Sequence, residues 1–570
     1  MREWLYGGSV IHRLKVGWGM GLVLVALGFW AAYLSNIRIF QVDEAQNLTM
    51  TRIAALHLER EFFTAALLWM HGPLAWVCGR ASEAASIFEG GRWLFLGVFL
   101  LNALLIALNT GERLWSLRGG AALLGASTLA PLWDYGFEIR HDNLLLTGLL
   151  LIWWFGRHSG WGRLAFAVMG VLSSLLLFVA FKSFVFLLPL NAVFLVAPPP
   201  NHRESRINLG AYWMAGAILG GGLVAAVYMS SGLWPAFIAG LKGGVDASQG
   251  ASSFSFTMPL LRLPLQIPLV LGLAAAAVGR LIADLIRLRV GALTWGSGAP
   301  EAALALGGLF VLYINPTPFP YNLVNLVPFF FLAGFRFSAA WLESAWEPGI
   351  TRSLVLAVLA FTHVVPFMMA TVRHHDWTND RQVHLIKLAE SMTDPAKDRV
   401  YDAVGMVPTR ASSGFYWYLH SLNLDAFLHG RIPSVSRMLT ERPAAILIPN
   451  YRLGWLPETE QRFLSERYLP LADDFWVLGA RLPAGGGVYH VVHPGRYLFL
   501  VNDGGRLVPL SRGTLGGNGI PSEPVALSTG EIEIRTPTSI IPMVAWIGPN
   551  LSALPRVGRG DHRRLFVNWY

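Results

Sequence analysis

The stretch GAALLGASTLAPLWDYGFEIRHDNLLLTGLLLIWWF, residues 120–155, decides what kind of protein this is. Apolar residues dominate Gly120–Gly136 and again Leu144–Phe155, while Asp134, Glu138, Arg140, His141 and Asp142 crowd into the turn between them. A soluble helical hairpin carries charge along one whole face of each helix. Here the charge gathers at the turn. A helix crosses the hydrocarbon core with roughly 17–25 apolar residues. The stretch therefore reads as two membrane spans joined by a charged turn at the bilayer rim.

Nine further runs extend this reading outward: Gly17–Leu34, Trp93–Leu108, Leu164–Ala180, Phe184–Ala197, Gly210–Met229, Leu265–Val278, Ala302–Ile314, Leu323–Phe335 and Ser353–Ala370. With the first two they make eleven spans. Composition agrees: charged residues are 14% of the 570, hydrophobic residues 54%, and mean hydropathy is +0.47. Soluble chains carry about 25% charge, so a disordered chain, a nucleic-acid binder and a cytosolic enzyme are all excluded. The net charge of +9 reflects loop arginines. The single cysteine, Cys78, excludes an internal disulfide and a cysteine-built zinc site. Arg2, Arg13 and Lys15 precede a run too long for a cleaved signal peptide.

Charge also divides the chain. The first 371 residues hold 40 charged side chains and the last 199 hold 39. The expected fold is a mainly α polytopic membrane protein with a C-terminal extracytoplasmic domain. Residues 1–371 form the membrane domain, with an outer amphipathic helix in the loop 37–91. Residues 372–484 form a mixed α/β region and 485–570 a small β module. Arg113, Arg118, Arg157, Arg163, Arg203, Arg206, Arg280, Arg287, Arg289 and Arg352 fall in loops on the side of the N-terminus, so that side is cytoplasmic. An odd number of spans then puts residues 372–570 outside.

Ionisable groups at membrane depth or at its rim are functional candidates by default. Asp43-Glu44 follows the first span. Asp43 with Gln46 also reads as a capping box, and Ile53, Leu56, Phe63 and Leu67 continue at helical spacing, as in a helix lying in the membrane surface. Glu138, Arg140, His141 and Asp142 are tethered between two spans. Lys182, one of five lysines, opens the sixth span; snorkelling is the alternative there. The loop Pro316-Thr-Pro-Phe-Pro-Tyr321-Asn322 precedes the tenth span, and His71-Gly72-Pro73-Leu74 lies in the first outer loop. The outer loop Lys242 to Arg262 is a weaker candidate.

An acidic pair after the first span, an outer helix, an Arg-x-Asp turn between spans 3 and 4, a lysine opening a later span and a proline-rich outer loop form one ordered pattern. It resembles the polyprenyl-phosphate-dependent glycosyltransferases of the GT-C fold, in the branch of the protein O-mannosyltransferases and the bacterial lipid A aminoarabinose transferases. The resemblance spans about residues 15–340, and Asp402-Ala-Val-Gly405 resembles part of that branch's outer domain. The Pro-Pro-Leu stretch common in such enzymes is here Gly72-Pro73-Leu74, and the strands after 485 have no counterpart in the pattern.

The resemblance implies an inverting glycosyltransferase, hexosyl or pentosyl, at the outer face of the bacterial inner membrane. The donor is a sugar on a polyprenyl phosphate and the acceptor a glycan, lipid or protein, with no nucleic acid involved. By family position Asp43 is the catalytic base, Glu44 supports it and Asp142 orients sugar or acceptor. Arg140 and Lys182 are cations for the leaving phosphate, and Tyr321 touches it. His71, Glu138, His141 and Asn322 are further substrate-binding candidates. No cofactor or metal is expected, although more distant relatives with paired acids use a divalent metal. A transporter or flippase for a lipid-linked sugar also uses buried charge, but no paired halves are visible here. An envelope scaffold explains the outer domain and leaves the rim charges unexplained.

Overall fold

The computed structural model describes residues 10–56, 68–157, 162–197, 205–235, 237–238, 257–287, 298–314, 319–344, 350–414, 427–504 and 506–566. Phe63, Leu67, Pro316, Pro318 and most of the loop after Lys242 lie outside these.

The membrane half is a helical bundle. Its helices are α1 (Val10–Ile37), α2 (Val42–Leu56), α3 (Pro73–Arg80), α4 (Ala84–Asn109), α5 (Leu117–Ser127), α6 (Ala130–Tyr135), α7 (His141–Arg157), α8 (Arg163–Val179) and α9 (Ser183–Val196). It continues with α10 (Arg206–Ser230), α11 (Thr257–Gln266), α12 (Pro268–Ile286), α13 (Ala299–Ile314), α14 (Leu323–Ser344) and α15 (Ile350–Asp376). Among the described residues five helices are long and apolar enough to cross a membrane: α1 from Gly19, α4, α10, α12 and the stretch Pro320–Ala339. Shorter apolar helices lie between them. Phe29, Ile207, Ile218 and Phe361 stay largely exposed on these helices, which suits lipid and not water. The chain is a multi-pass membrane protein.

Two expectations are corrected here. The third apolar run is not one span: it breaks at Thr128-Leu129 into α5 and α6. Pro131 lies in the first turn of α6, where its missing N–H is harmless, and the indole of Trp133 donates to the freed carbonyl of Ser127 at 2.6 Å. The outer helix α2 does not lie in the membrane surface either. Every residue from Glu44 to Thr51 is buried, because α3 and α4 pack beside it and a loop of the C-terminal half seats on it, with Thr49 Oγ1 donating to Gly405 O at 2.7 Å. Its capping box also differs. Gln41 precedes the helix, and its N–H donates to Glu44 Oε2 at 2.8 Å, so Glu44 closes the box and Asp43 is left for other contacts.

Small residues set the closest helix approach. A Cβ on Gly216 of α10 would stand 1.9 Å from Ala167 O of α8, and one on Gly170 1.9 Å from Trp213 O. Backbones this close leave room only for hydrogen, which is how apolar helices gain packing without a hydrophobic drive between them.

The C-terminal half begins with α16 (Asp380–Met392) and holds α17 (Val435–Glu441), α18 (Glu458–Arg467) and twelve short strands. Strands β1 (Val400–Tyr401), β2 (Ile446–Leu447), β4 (Phe475–Arg481), β12 (Met543–Trp546), β6 (Gly495–Asp503) and β10 (Val525–Leu527) lie side by side in that order. β1 and β2 pair in parallel, and β3 (Tyr468–Ala472) and β7 (Arg506–Pro509) flank β4 and β6. Four more strands, β5 (Gly486–Val491), β8 (Thr514–Leu515), β9 (Asn518–Gly519) and β11 (Gly530–Arg535), make a second sheet. Since β4 pairs with β12, the strands on either side of residue 485 share one sheet, and the boundary expected there does not separate two modules.

One hydrophobic core runs from this half into the outer helices. Phe40, Leu48, Ile87 and Phe88 pack in the same cluster as Leu385, Ile386, Tyr401 and Met406. The membrane bundle has its own core around Trp133, Leu149, Trp153 and Phe330. The C-terminal half is thus packed onto the face that carries α2.

Replacing Gly216 by Leu should separate α8 from α10 and destabilise the protein by about 1–3 kcal/mol or more. Gly222, with open space around it, should tolerate Leu with little change. Thermal midpoints of the two purified variants in detergent check this; equal midpoints contradict the packing.

Candidate functional site

Four elements converge at the end of the bundle that meets the C-terminal half: the start of α2, the turn 136–140 leading into α7, Lys182 at the start of α9, and the tight turn Pro320–Asn322 before α14. Two cations anchor the cluster. Arg140 places Nη1 2.6 Å from Asp43 Oδ2 and 3.6 Å from Glu138 Oε2, and its Nε 3.4 Å from Asp142 Oδ2. Lys182 Nζ lies 2.5 Å from Asp142 Oδ1 and donates to Asn322 Oδ1 at 2.9 Å. Both cations share one ring, with Arg140 Cζ 3.6 Å and Lys182 Nζ 4.9 Å from the centre of Tyr321. A cation over a ring face gains about 0.5–2 kcal/mol, so Tyr321 holds the pair together although their charges repel.

The four acids differ in what they can still do. Glu44 is saturated: Arg92 binds it through Nε at 2.5 Å and Nη2 at 2.6 Å, and the N–H groups of Gln41 and Ile139 donate at 2.8 and 3.1 Å. Asp142 is enclosed by Lys182 and Arg140, by Asn325 Nδ2 at 3.4 Å and by His141 Nε2 at 3.8 Å. Glu138 pairs with Arg38 and faces Arg140. These three carboxyls are at most 1% exposed, whereas Asp43 is 27% exposed. Asp43 is the one acid of the four with appreciable exposure.

Nine of the ten residues singled out in the sequence thus meet in one network. His71 was the tenth. It places its ring 6.4 Å from Tyr228 of α10, two residues after Trp69, whose ring lies 6.0 Å from His141.

Sequence reasoning missed the residues that hold the network in place. Arg92, immediately before the second apolar run, is buried and also donates to Ser35 O at 2.7 Å and Ile39 O at 3.0 Å. Arg38, equally buried, grips the turn through Asp134 O at 2.5 Å and through Glu138. An arginine abutting an apolar run was the available signal. Asp134, in turn, accepts from Gln266 Nε2 at 2.7 Å and meets His374 Nε2 at 3.1 Å, fastening α6 to α11 and α15. At the far end of α7 another buried acid, Glu301, stands 3.6 Å from Arg157 and 3.5 Å from Arg336, so charges lie at both ends of the bundle.

The C-terminal half contributes the loop seated on Thr49. Asp402 accepts from the N–H groups of Val404, Gly405 and Met406 at 2.8, 2.5 and 2.7 Å. Burial pushes its carboxyl up, and these amides oppose the shift. Ala403 takes φ +58° within this loop, a left-handed conformation an alanine rarely adopts.

Among the described residues no three His, Cys, Asp or Glu side chains gather to hold a metal ion; the acids face guanidinium and ammonium groups. Chemically, the arrangement offers two cations for an anion and one reachable carboxylate beside them.

No protein-family model matches the chain. No curated protein matches it. Solved structures do. The chain is similar to the archaeal oligosaccharyltransferase AglB from Archaeoglobus fulgidus in complex with an inhibitory peptide and a dolichol-phosphate, at 10% identity and TM-score 0.44, over 85% of this chain and 74% of that one. It is similar to the oligosaccharyltransferase of the same organism tethered to an acceptor peptide with an NVT sequon, at 10% identity and TM-score 0.45, over 89% and 75%. It is also similar to the arabinosyltransferase EmbB from Mycobacterium smegmatis, at 13% identity and TM-score 0.35, over 92% and 63%.

Glu44 and Asp43 should separate in a stability measurement. Glu44→Gln weakens the partner of a buried guanidinium, and breaking such a pair costs about 3–5 kcal/mol. Asp43→Asn keeps a polar group beside Arg140 at a position partly open to solvent, where the loss of the charge is better compensated by water. The thermal midpoint should fall sharply for Glu44→Gln and stay near wild type for Asp43→Asn; the reverse order contradicts this assignment.

Proposed function

We propose that the chain is an inverting glycosyltransferase of the GT-C type. It transfers a sugar from a polyprenyl-phosphate donor to an acceptor at the outer face of the bacterial inner membrane, where its C-terminal half also lies. The observation that carries this reading is the pairing of a reachable carboxylate, Asp43, with two cations stacked on Tyr321 at the bilayer rim. A donor of this kind presents its phosphate at that depth while its tail stays in the hydrocarbon.

In the reaction the acceptor's oxygen attacks the anomeric carbon, the carbon–oxygen bond to the phosphate breaks, and the configuration inverts. Negative charge grows on the departing phosphate. Arg140 and Lys182 meet it there, in a site largely closed to water where such contacts are strongest. Asp43 takes the acceptor's proton as a general base. Its contact with Arg140 sets the order of events: a phosphate bound to Arg140 competes for that guanidinium and frees Asp43 to act. Asp142 holds Lys182 and Arg140 in place, with Asn322 and Asn325 helping to orient them. Glu44, saturated by Arg92 and two amides, supports the base by fixing the first turn of α2. His141 and His71 line the approach.

Mass spectrometry of envelope glycans, lipids and glycoproteins from a deletion strain should reveal one sugar missing from one acceptor class. With that pair in hand, Asp43→Asn should cut the transfer rate by roughly 10²–10⁴ at near-normal stability. A folded Asp43→Asn protein that transfers sugar at the wild-type rate removes Asp43 from the mechanism. Lys182→Ala should raise the donor concentration needed for half-maximal rate, with Lys182→Arg intermediate. Unchanged donor dependence in Lys182→Ala would leave the lysine as a snorkelling residue.

A further inference from the structure

The side chain of Arg38 meets the charge cluster at Glu138, its carbonyl accepts from Arg92 Nη1 at 3.4 Å, and its chain neighbours make a further contact. The segment around it is pinned to the root of the C-terminal half: Ile39 N–H donates to Trp377 O at 2.9 Å and Asn379 N–H to Ile37 O at 2.7 Å. Gln382 closes the same clasp. Its Oε1 accepts from Phe40 N–H at 2.7 Å, and its Nε2 donates to Phe40 O at 3.0 Å and to Leu565 O at 2.8 Å. The side chain of Arg38 points the other way, into the turn that carries Arg140. It donates to Trp133 O at 3.4 Å and Asp134 O at 2.5 Å and pairs with Glu138 Oε1.

Glu138 is therefore shared between two guanidinium groups. One oxygen is held by Arg38; the other makes no hydrogen bond among the described residues and faces Arg140 Nη1 at 3.6 Å. Asp43 and Asp142 already contact Arg140 at 2.6 and 3.4 Å; buried charge is weakly screened, so a Glu138 released from Arg38 would add a third carboxylate to that hold. We propose that Arg38 is a positioning residue that occupies Glu138 and so keeps Arg140 available for an anionic phosphate, tying that availability to the seating of the C-terminal half. The proposal rests on the reading of Arg140 as a phosphate-binding cation.

Binding of a C55 polyprenyl phosphate to the purified full-length protein in detergent tests it without knowledge of the sugar or acceptor. Arg38→Gln turns the full charge of Glu138 onto Arg140, and the phosphate should bind roughly tenfold or more weakly, as an ion contact worth above 1 kcal/mol requires. The double variant Arg38→Gln with Glu138→Gln removes the competing carboxylate as well, and binding should return to within about threefold of wild type. A merely structural arginine gives a double variant no better than Arg38→Gln, and that result overturns the proposal. So does an unchanged Arg38→Gln. If Arg38→Gln does not fold, Glu138→Gln alone decides: it should bind the phosphate more tightly than wild type, and equal or weaker binding rejects the idea. Arg140→Ala, measured alongside, isolates the underlying reading. If it binds as wild type does, the phosphate site itself is elsewhere; if it binds weakly while the Arg38 variants behave as wild type, only the role of Arg38 fails.

Discussion

The structure depends on the four hydrogen bonds that converge on Glu44. Arg92 reaches it from α4, the amide of Ile139 from the turn that carries Arg140, and the amide of Gln41 from the start of its own helix. One carboxylate thus joins the outer helix, the second long helix of the bundle and the charged turn. Burying two opposite charges costs several kcal/mol per ion, recovered only when geometry is good and every remaining polar atom is satisfied. Bidentate geometry and two additional amide donors meet that condition. Because Asp43 is the neighbour of Glu44 on the same helical turn, its position at the open edge of the cluster follows from this buried junction.

The surrounding charges form a ladder of pairs in which each acid faces at least one cation. Glu138 faces Arg38 and Arg140, Asp142 faces Arg140 and Lys182, and Asp134 faces His374 and Arg373. Such groups are expensive at membrane depth singly and tolerable together. Fold alone does not require so many. An apolar turn would join α6 to α7 with fewer penalties, so the charge at this turn reads as functional. Asp43 and Lys182, 27% and 18% exposed, are more open to solvent than Glu138 and Asp142.

Much of this was legible in the sequence because membrane helices advertise themselves by length and because charge stands out within apolar runs. The C-terminal half was legible more coarsely, as a mix of helix and strand followed by strands: α18 spans Glu458–Arg467, and strands open at Phe475, Gly495 and Gly530. What escaped notice depends on distant partners. The capping box fell to Glu44 because Arg92 holds that side chain from 48 residues away. The outer helix kept the periodicity of a surface helix, yet is buried because residues more than 300 positions later cover it. The break at Thr128 follows from Pro131 and from the indole of Trp133, neither of which a hydropathy window weighs.

The shared core explains why an extended C-terminal half belongs on this protein at all. A helix as short and polar as α2 gains little stability by itself. Packed between α4 and the loop at Gly405, it becomes a rigid shelf. Holding a side chain such as Asp43 to a fraction of an ångström demands such support, and neither lipid nor water supplies it. The left-handed Ala403 points the same way: a strained residue persists only where its surroundings over-determine it, and here those surroundings are three amide bonds to Asp402 and the contact with Thr49. The C-terminal half is thus a structural part of the charge cluster, holding the helix that bears Asp43 against the helical bundle that bears Arg140 and Lys182.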